Sequence, residues 1–529
     1  MKRIKQIVSA LGIASCIGLM GWPADSQADE RPLVWAETLP ATLDPHAQFD
    51  VPIQTILVNV YDALYRYTGN PPELVPWLAE SHSTSADGLV WEFRIKSGVS
   101  FHDGSELSAA DVAYSFQRLL KMGKGASSVF RGVLLPENVE VVDDRTVRFT
   151  LEAPYAPFLS AMPLVAIVNP RQIEAHVDNG DFGEGWLSAN GAGSGPYMVN
   201  PDTYQQRVQL DLLRFQDHHM GWDHNGDPVE NVSLRPVHDT STRVMALLRG
   251  EIDATDAYLP TDQVERIDKS KNARVSRDET MRIFLLRMNN KKPPFDNVHV
   301  RKCFSHAFDY EGFNNVVLKG FVERNPGPIP NGLWGVPEGV EGYVYDLEKA
   351  QAECDKAREE GVDLDREFEI HTLAELEQTV QAAQLFQSGL ARIDLKARVV
   401  PGTWPTLSSA ATKPETAPEL WVFWISTYFV DPENWIGQMY DTSFHGTWKA
   451  SAFYENPEVD MLLKAARRET EQSKRAELYE QAYRIIYEDA ADIWIYNTIQ
   501  LRGLSNRVKG YQFTPVGSGT DFRSMSLED

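Results

Sequence analysis

The chain has 529 residues, 43% of them apolar, and 75 acidic against 51 basic side chains give it a formal charge of −24. Such an acidic surface repels phosphate backbones and anionic lipid, and no basic patch interrupts it, so nucleic-acid binding is excluded. The length is enough for two or three lobes of about 100 to 200 residues each.

In chain order, the first segment reads as an export signal. Met1-Lys2-Arg3-Ile4-Lys5 is basic, Ile7 to Met20 is apolar but too short to span a bilayer, and Ser26-Gln27-Ala28 supplies a small-residue cleavage site. The mature chain is expected to begin near Asp29, in the periplasm. Ile13-Ala14-Ser15-Cys16 loosely fits a lipoprotein box that would leave Cys16 lipidated, but the apolar residues after it make a poor tether, and the soluble form is preferred. No later run is long and apolar enough to cross a membrane.

Leu89, Trp91, Phe93 and Ile95 alternate with polar residues, as do Val147, Phe149 and Leu151, so each segment predicts a strand with one buried face. Between them Ser108 and Asp111 form a helix-start signature ahead of Val112, Phe116, Leu119 and Leu120. Val237 to Gly250 predicts a helix stopped by glycine, and Ile283 to Met288 a buried strand. Val298 to Tyr310 and Leu347 to Ala357 look helical and carry Cys303 and Cys354. Each thiol reads as a small buried apolar group, and an oxidising compartment leaves a disulfide between them open. Asn456 and Pro457 start a helix with Val459, Leu462, Leu463 and Ala466 on one face; another carries Leu478, Ala482, Tyr483 and Ile486. Strands and helices interleave, so the class is mixed α/β. Gly- and Pro-rich stretches at 190–196, 291–294 and 325–342 mark candidate junctions.

Several ordered blocks carry a family resemblance. They are Thr42-Leu43-Asp44-Pro45; Leu78 to Ser81 through Asp87 to Phe93; Gly98 to Gly104 with Leu107 to Val112; Gly193 to Tyr197; Arg243 to Asp253; Pro294 to Asn297 with Val300-Arg301-Lys302; and Asp431 to Asn434. Together they resemble the bacterial extracellular solute-binding proteins of the dipeptide, oligopeptide and nickel type. The resemblance implies a two-lobed, hinged periplasmic-binding-protein fold with an extra inserted domain. The insert is expected at 77–196, lobe one at 29–76, 197–278 and 500–529, and lobe two at 279–499. It also implies capture of a ligand for an inner-membrane ABC permease pair and its ATPases. The expected ligand is a dipeptide or oligopeptide, with a disaccharide or opine as the alternative and a nickel or haem complex behind both.

Enzymatic motifs are missing: there is no Gly-x-Ser-x-Gly elbow, no His-Glu-x-x-His and no phosphate loop, so with the resemblance the chain reads as a receptor without cofactor. His102-Asp103-Gly104 reads as a turn and Gly193 to Tyr197 as a tight connector. Asp217-His218-His219 with Trp222-Asp223-His224 has metal-ligating residue types, yet it lies in a Gly-rich loop and reads as a solvated turn.

Leu420 to Pro432 is the candidate cleft segment. Peptide-binding relatives place a Trp where Trp424 stands and, shortly after, an Asp that pairs with the peptide ammonium; here that place holds Thr427, which lacks the charge. Asp431 is a possible substitute, although a helix-cap role competes. Trp424, Thr427 and Tyr428, with Ser426, Asp431 and Trp404, are expected on one wall, and Phe49 and Asp50 on the other.

Overall fold

The structure, a computed structural model, describes residues 31–517 and 519–528. The expected signal segment, Cys16 included, lies outside the described residues. No helix among them is long and apolar enough to cross a membrane.

Three larger sheets organise the chain. The first joins Leu33–Trp35, Asn231–Leu234, Leu210–Arg214 and Tyr197–Val199, with the first pair parallel and the others antiparallel. The second is an antiparallel sheet of Ala79–Thr84, Val90–Ile95, Thr146–Thr150 and Val139–Asp143. Phe93, Val147 and Phe149 alternate into its buried face and meet Val112, Phe116 and Leu119 of the helix Ala109–Met122. That helix starts as its sequence predicts: Asp111 Oδ2 accepts from the Ser108 backbone N–H at 2.8 Å, and Gly123 ends it in the left-handed region.

The third sheet has six strands, in the order Val322–Arg324, Asp492–Ser505, Ala273–Met288, Leu420–Ile425, Glu367–Leu373 and Lys396–Gly402. Two of these are long. Ala273–Met288 runs 16 residues against the 14 of Asp492–Ser505, ten residues beyond the apolar run Ile283 to Met288, because its first half has one polar face. Their register breaks after the pair Glu279 and Ile499 and resumes at Ile283 and Asn497. Such a bulge bends a strand locally. The boundaries expected at 278/279 and 499/500 fall at this bulge.

Two details differ from the sequence reading. The helix expected from Val237 begins at Thr240, because Asp239 caps it by accepting from the Thr242 N–H at 2.7 Å. Cys303 and Cys354 are not free thiols: helices Val298–Ala307 and Leu347–Glu359 pack with the two Cα atoms 5.3 Å apart, and the sulfurs are bonded. The Gly193 to Tyr197 connector does run tightly past the helix Val51–Val60. A Cβ on Gly193 would lie 1.9 Å from the Val60 carbonyl oxygen, which only glycine avoids.

Candidate ligand-binding site

A cavity of about 630 Å³ opens between the segments that follow Leu33–Trp35 and those at the ends of Glu367–Leu373 and Leu420–Ile425. Small-ligand sites typically enclose roughly 300 to 1,000 Å³. One wall carries Glu37, Gln48 and Asp50, the last just before the helix Val51–Val60; the other carries Glu375, Trp404, Trp424, Ser426 and Tyr428. Arg243, Asp256, Tyr258 and Arg502 fill the region nearest the two long strands.

Asp50 reaches across the cavity. Its Oδ1 accepts from Gln48 Nε2 at 2.6 Å and its Oδ2 from the indole Nε1 of Trp404 at 3.1 Å. Both donors are neutral, and Asp50 forms no ion pair among the described residues. Burial raises its pKa above the ordinary carboxylate value, against the pull of those two hydrogen bonds. The Trp404 ring meets Trp448 edge-on at 4.9 Å, and both line the cavity.

Arg282 is the opposite case. It lies in the bulge between Glu279 and Ile283, it is 2% exposed, and its guanidinium lies 4.7 Å from the Tyr258 ring centre and 5.8 Å from that of Trp424. Nε and Nη1 are buried without a hydrogen-bond partner, and among the described residues no carboxylate pairs with it. Arg243, by contrast, pairs with Asp256 at 3.2 Å. Tyr258 and Tyr428 each lie in the field of both Asp50 and Arg282. Asp50, which lines the cavity, and Arg282, which lies behind the lining rings of Tyr258 and Trp424, are thus two ionisable side chains without an ion-pair partner among the described residues.

Of the residues expected from sequence, Asp50, Trp404, Trp424, Ser426 and Tyr428 line this cavity. Three do not. Phe49 packs against the Tyr428 ring at 4.5 Å and lies over Lys449 Nζ at 5.1 Å. Thr427 is fully buried, and its carbonyl accepts from the Gly517 N–H. Asp431 is held by Arg475 at 2.8 Å and caps the turn Pro432–Asn434 by accepting from the Glu433 N–H, so its charge is already used by the fold. Sequence reading passed over Arg282, whose only signal is a cation interrupting the approach to the apolar run Ile283 to Met288.

A two-lobed α/β frame closing on a charged, aromatic-walled cavity defines a solute-binding protein. Residues 73–446 match the family model of the bacterial extracellular solute-binding proteins, family 5 Middle, and the chain belongs to that family, whose members bind solutes rather than catalyse. It is 31% identical over 491 residues, 90% of each chain, to the "Probable D,D-dipeptide-binding periplasmic protein DdpA" of Escherichia coli (strain K12). It is 27% identical over 478 residues to the "Heme-binding protein A" of Haemophilus influenzae, covering 87% of this chain and 85% of that one. Among solved structures, the periplasmic binding protein DppA from Helicobacter pylori in complex with peptide STSA matches with a TM-score of 0.84 at 26% identity, over 94% of this chain and 98% of that one.

Proposed function

We propose that this protein is the periplasmic receptor of an ABC importer and captures a short zwitterionic peptide, of about dipeptide size, for delivery to an inner-membrane permease pair and its ATPases. The carrying observation is a pair of unmatched groups in one region: the Asp50 carboxylate, which lines the cavity with only neutral donors, and the Arg282 guanidinium, which has no acceptor and lies directly behind the lining rings of Tyr258 and Trp424. A buried charge is stable only when paired, and a ligand carrying an ammonium and a carboxylate supplies both missing partners at once. Asp50 then does the work of the aspartate that is absent at Thr427. Residues 77–196 form the inserted domain, and the lobes close by bending at the bulge around residues 279 to 283. The peptide-binding names of relatives support the ligand class.

A second reading follows from Trp404 and Trp448, whose rings border the cavity and offer stacking faces for a sugar or an opine. A ligand that binds only the folded protein raises its melting temperature in step with its concentration over Kd. In a thermal-shift panel of D,D- and L,L-dipeptides, disaccharides, opines, nickel chelates and haem, dipeptides are expected to give the largest shift. A panel in which only sugars shift the transition overturns the peptide reading, and hydrolysis of any member overturns the receptor.

A further inference from the structure

We propose that Asp62, His218 and His219 form a binding site for one borderline divalent cation, such as zinc, separate from the 630 Å³ cavity, whose lining includes none of the three. The loop expected to be a solvated turn is not one: the His218 and His219 side chains are 0% and 4% exposed, beside a fully buried Asp62 carboxylate. His218 Nε2 lies 3.5 Å from Asp62 Oδ1, and His219 Nε2 lies 3.5 Å from Asp62 Oδ2. Those separations are long for a hydrogen bond between nitrogen and oxygen. They are close to the roughly 3.3 Å between neighbouring ligands of a tetrahedral zinc with bonds of about 2.0 to 2.1 Å. All three ligand atoms lie within 4.8 Å of one another.

The hydrogen-bond inventory points the same way. His219 has neither ring nitrogen partnered, and His218 Nδ1 is likewise buried without a partner. Asp62 Oδ1 accepts from Trp77 Nε1 at 2.6 Å and Oδ2 from Ser194 Oγ at 2.8 Å. Each carboxylate oxygen has a second lone pair, so these donors orient the group and leave one position per oxygen for a metal. Asp62 has no Lys or Arg in ion-pair contact among the described residues. A dication supplies the charge that the buried carboxylate lacks. Imidazole with carboxylate suits zinc, nickel or cobalt better than calcium or magnesium. A separate cavity of about 60 Å³ borders Asp62 and Trp77, room enough for a water beside the carboxylate.

The ligands come from two separated stretches. Asp62 follows the helix Val51–Val60, its orienting donors Trp77 and Ser194 lie at the two ends of the 77–196 segment, and the histidines sit beyond it. A bound cation therefore fastens that segment where it leaves and rejoins the rest of the chain. His224, the other histidine of the loop, contacts Arg523 instead.

The test uses the full chain, stripped with a chelator and titrated with Co²⁺ and Zn²⁺. The expected result is one equivalent of Co²⁺ with the visible bands of a low-coordinate site, displaced by Zn²⁺, together with a higher melting temperature. His219→Ala, which removes no existing hydrogen bond, is expected to weaken uptake by at least about tenfold while far-UV circular dichroism stays unchanged. His224→Ala is expected to leave uptake as it was. Absence of stoichiometric binding, or undiminished uptake by His219→Ala, overturns the site. Neither outcome bears on ligand capture in the cleft.

Discussion

Replacing Arg282 with methionine separates a binding role from a structural one, because the two predict opposite signs. In the protein as described, the guanidinium accepts no compensation beyond two aromatic faces, at 4.7 and 5.8 Å. Losing those faces costs about 0.5 to 2 kcal/mol each. Against that, removing a buried cation without a counter-ion relieves a desolvation penalty of several kcal/mol, and methionine refills most of the volume. The ligand-free variant is therefore expected to unfold at the same denaturant midpoint or a higher one. Ligand affinity moves the other way. Truncating one member of a buried charge pair costs about 2 to 5 kcal/mol, so Kd for a dipeptide rises roughly 30- to 4,000-fold. Chemical denaturation of the free protein and titration calorimetry with the ligand read the two quantities separately. A variant that is markedly destabilised yet binds as tightly as the parent refutes the assignment.

Three other outcomes follow from the packing. His46 is buried, donating from Nε2 to the Ala166 carbonyl at 2.9 Å while its Nδ1 accepts from Arg118, and burial with that cation pushes its pKa down to about 4. Its neutral form is native, so the stability it contributes is intact above pH 6.5 and is lost as pH falls towards 4; the unfolding free energy from urea titrations should drop by up to about 3 kcal/mol over that window, less in His46→Asn. Asp431→Asn leaves Arg475 buried without its carboxylate and should cost about 3 to 5 kcal/mol of stability with unchanged ligand Kd; a selective loss of binding would return Asp431 to the cleft. The Cys303–Cys354 bond closes a loop of sequence separation 51, and its removal in Cys303→Ser/Cys354→Ser should cost about 4 kcal/mol, seen as a lower denaturation midpoint.

The elements legible in the sequence were those governed by local chemistry. The capping pair Ser108 and Asp111 and the alternation around Phe93 and Phe149 each state their structure within a few residues, and Asn456 accepts from Glu458 and Val459 as its position before Pro457 predicts. Half of the cleft was readable too, because Asp50 follows the block Thr42 to Pro45 and Trp424 and Tyr428 lead into the block Asp431 to Asn434. What stayed hidden depends on distant partners. Asp431 is committed by Arg475, 44 residues away, and the Asp50 to Trp404 contact spans 354 residues. The loop at His218 looked solvated because nothing nearby in sequence announces Asp62, 156 residues earlier. Arg282 went unnoticed for a related reason: an unpaired charge is recognised only when every neighbour is known.

The most direct test of the central claim is calorimetric titration of one dipeptide in three forms: free, N-acetylated and C-amidated. If Asp50 and Arg282 are the two anchors, the free dipeptide binds and blocking either terminus weakens it by about 2 kcal/mol or more, roughly 30-fold. Equal affinity for all three forms would contradict the account.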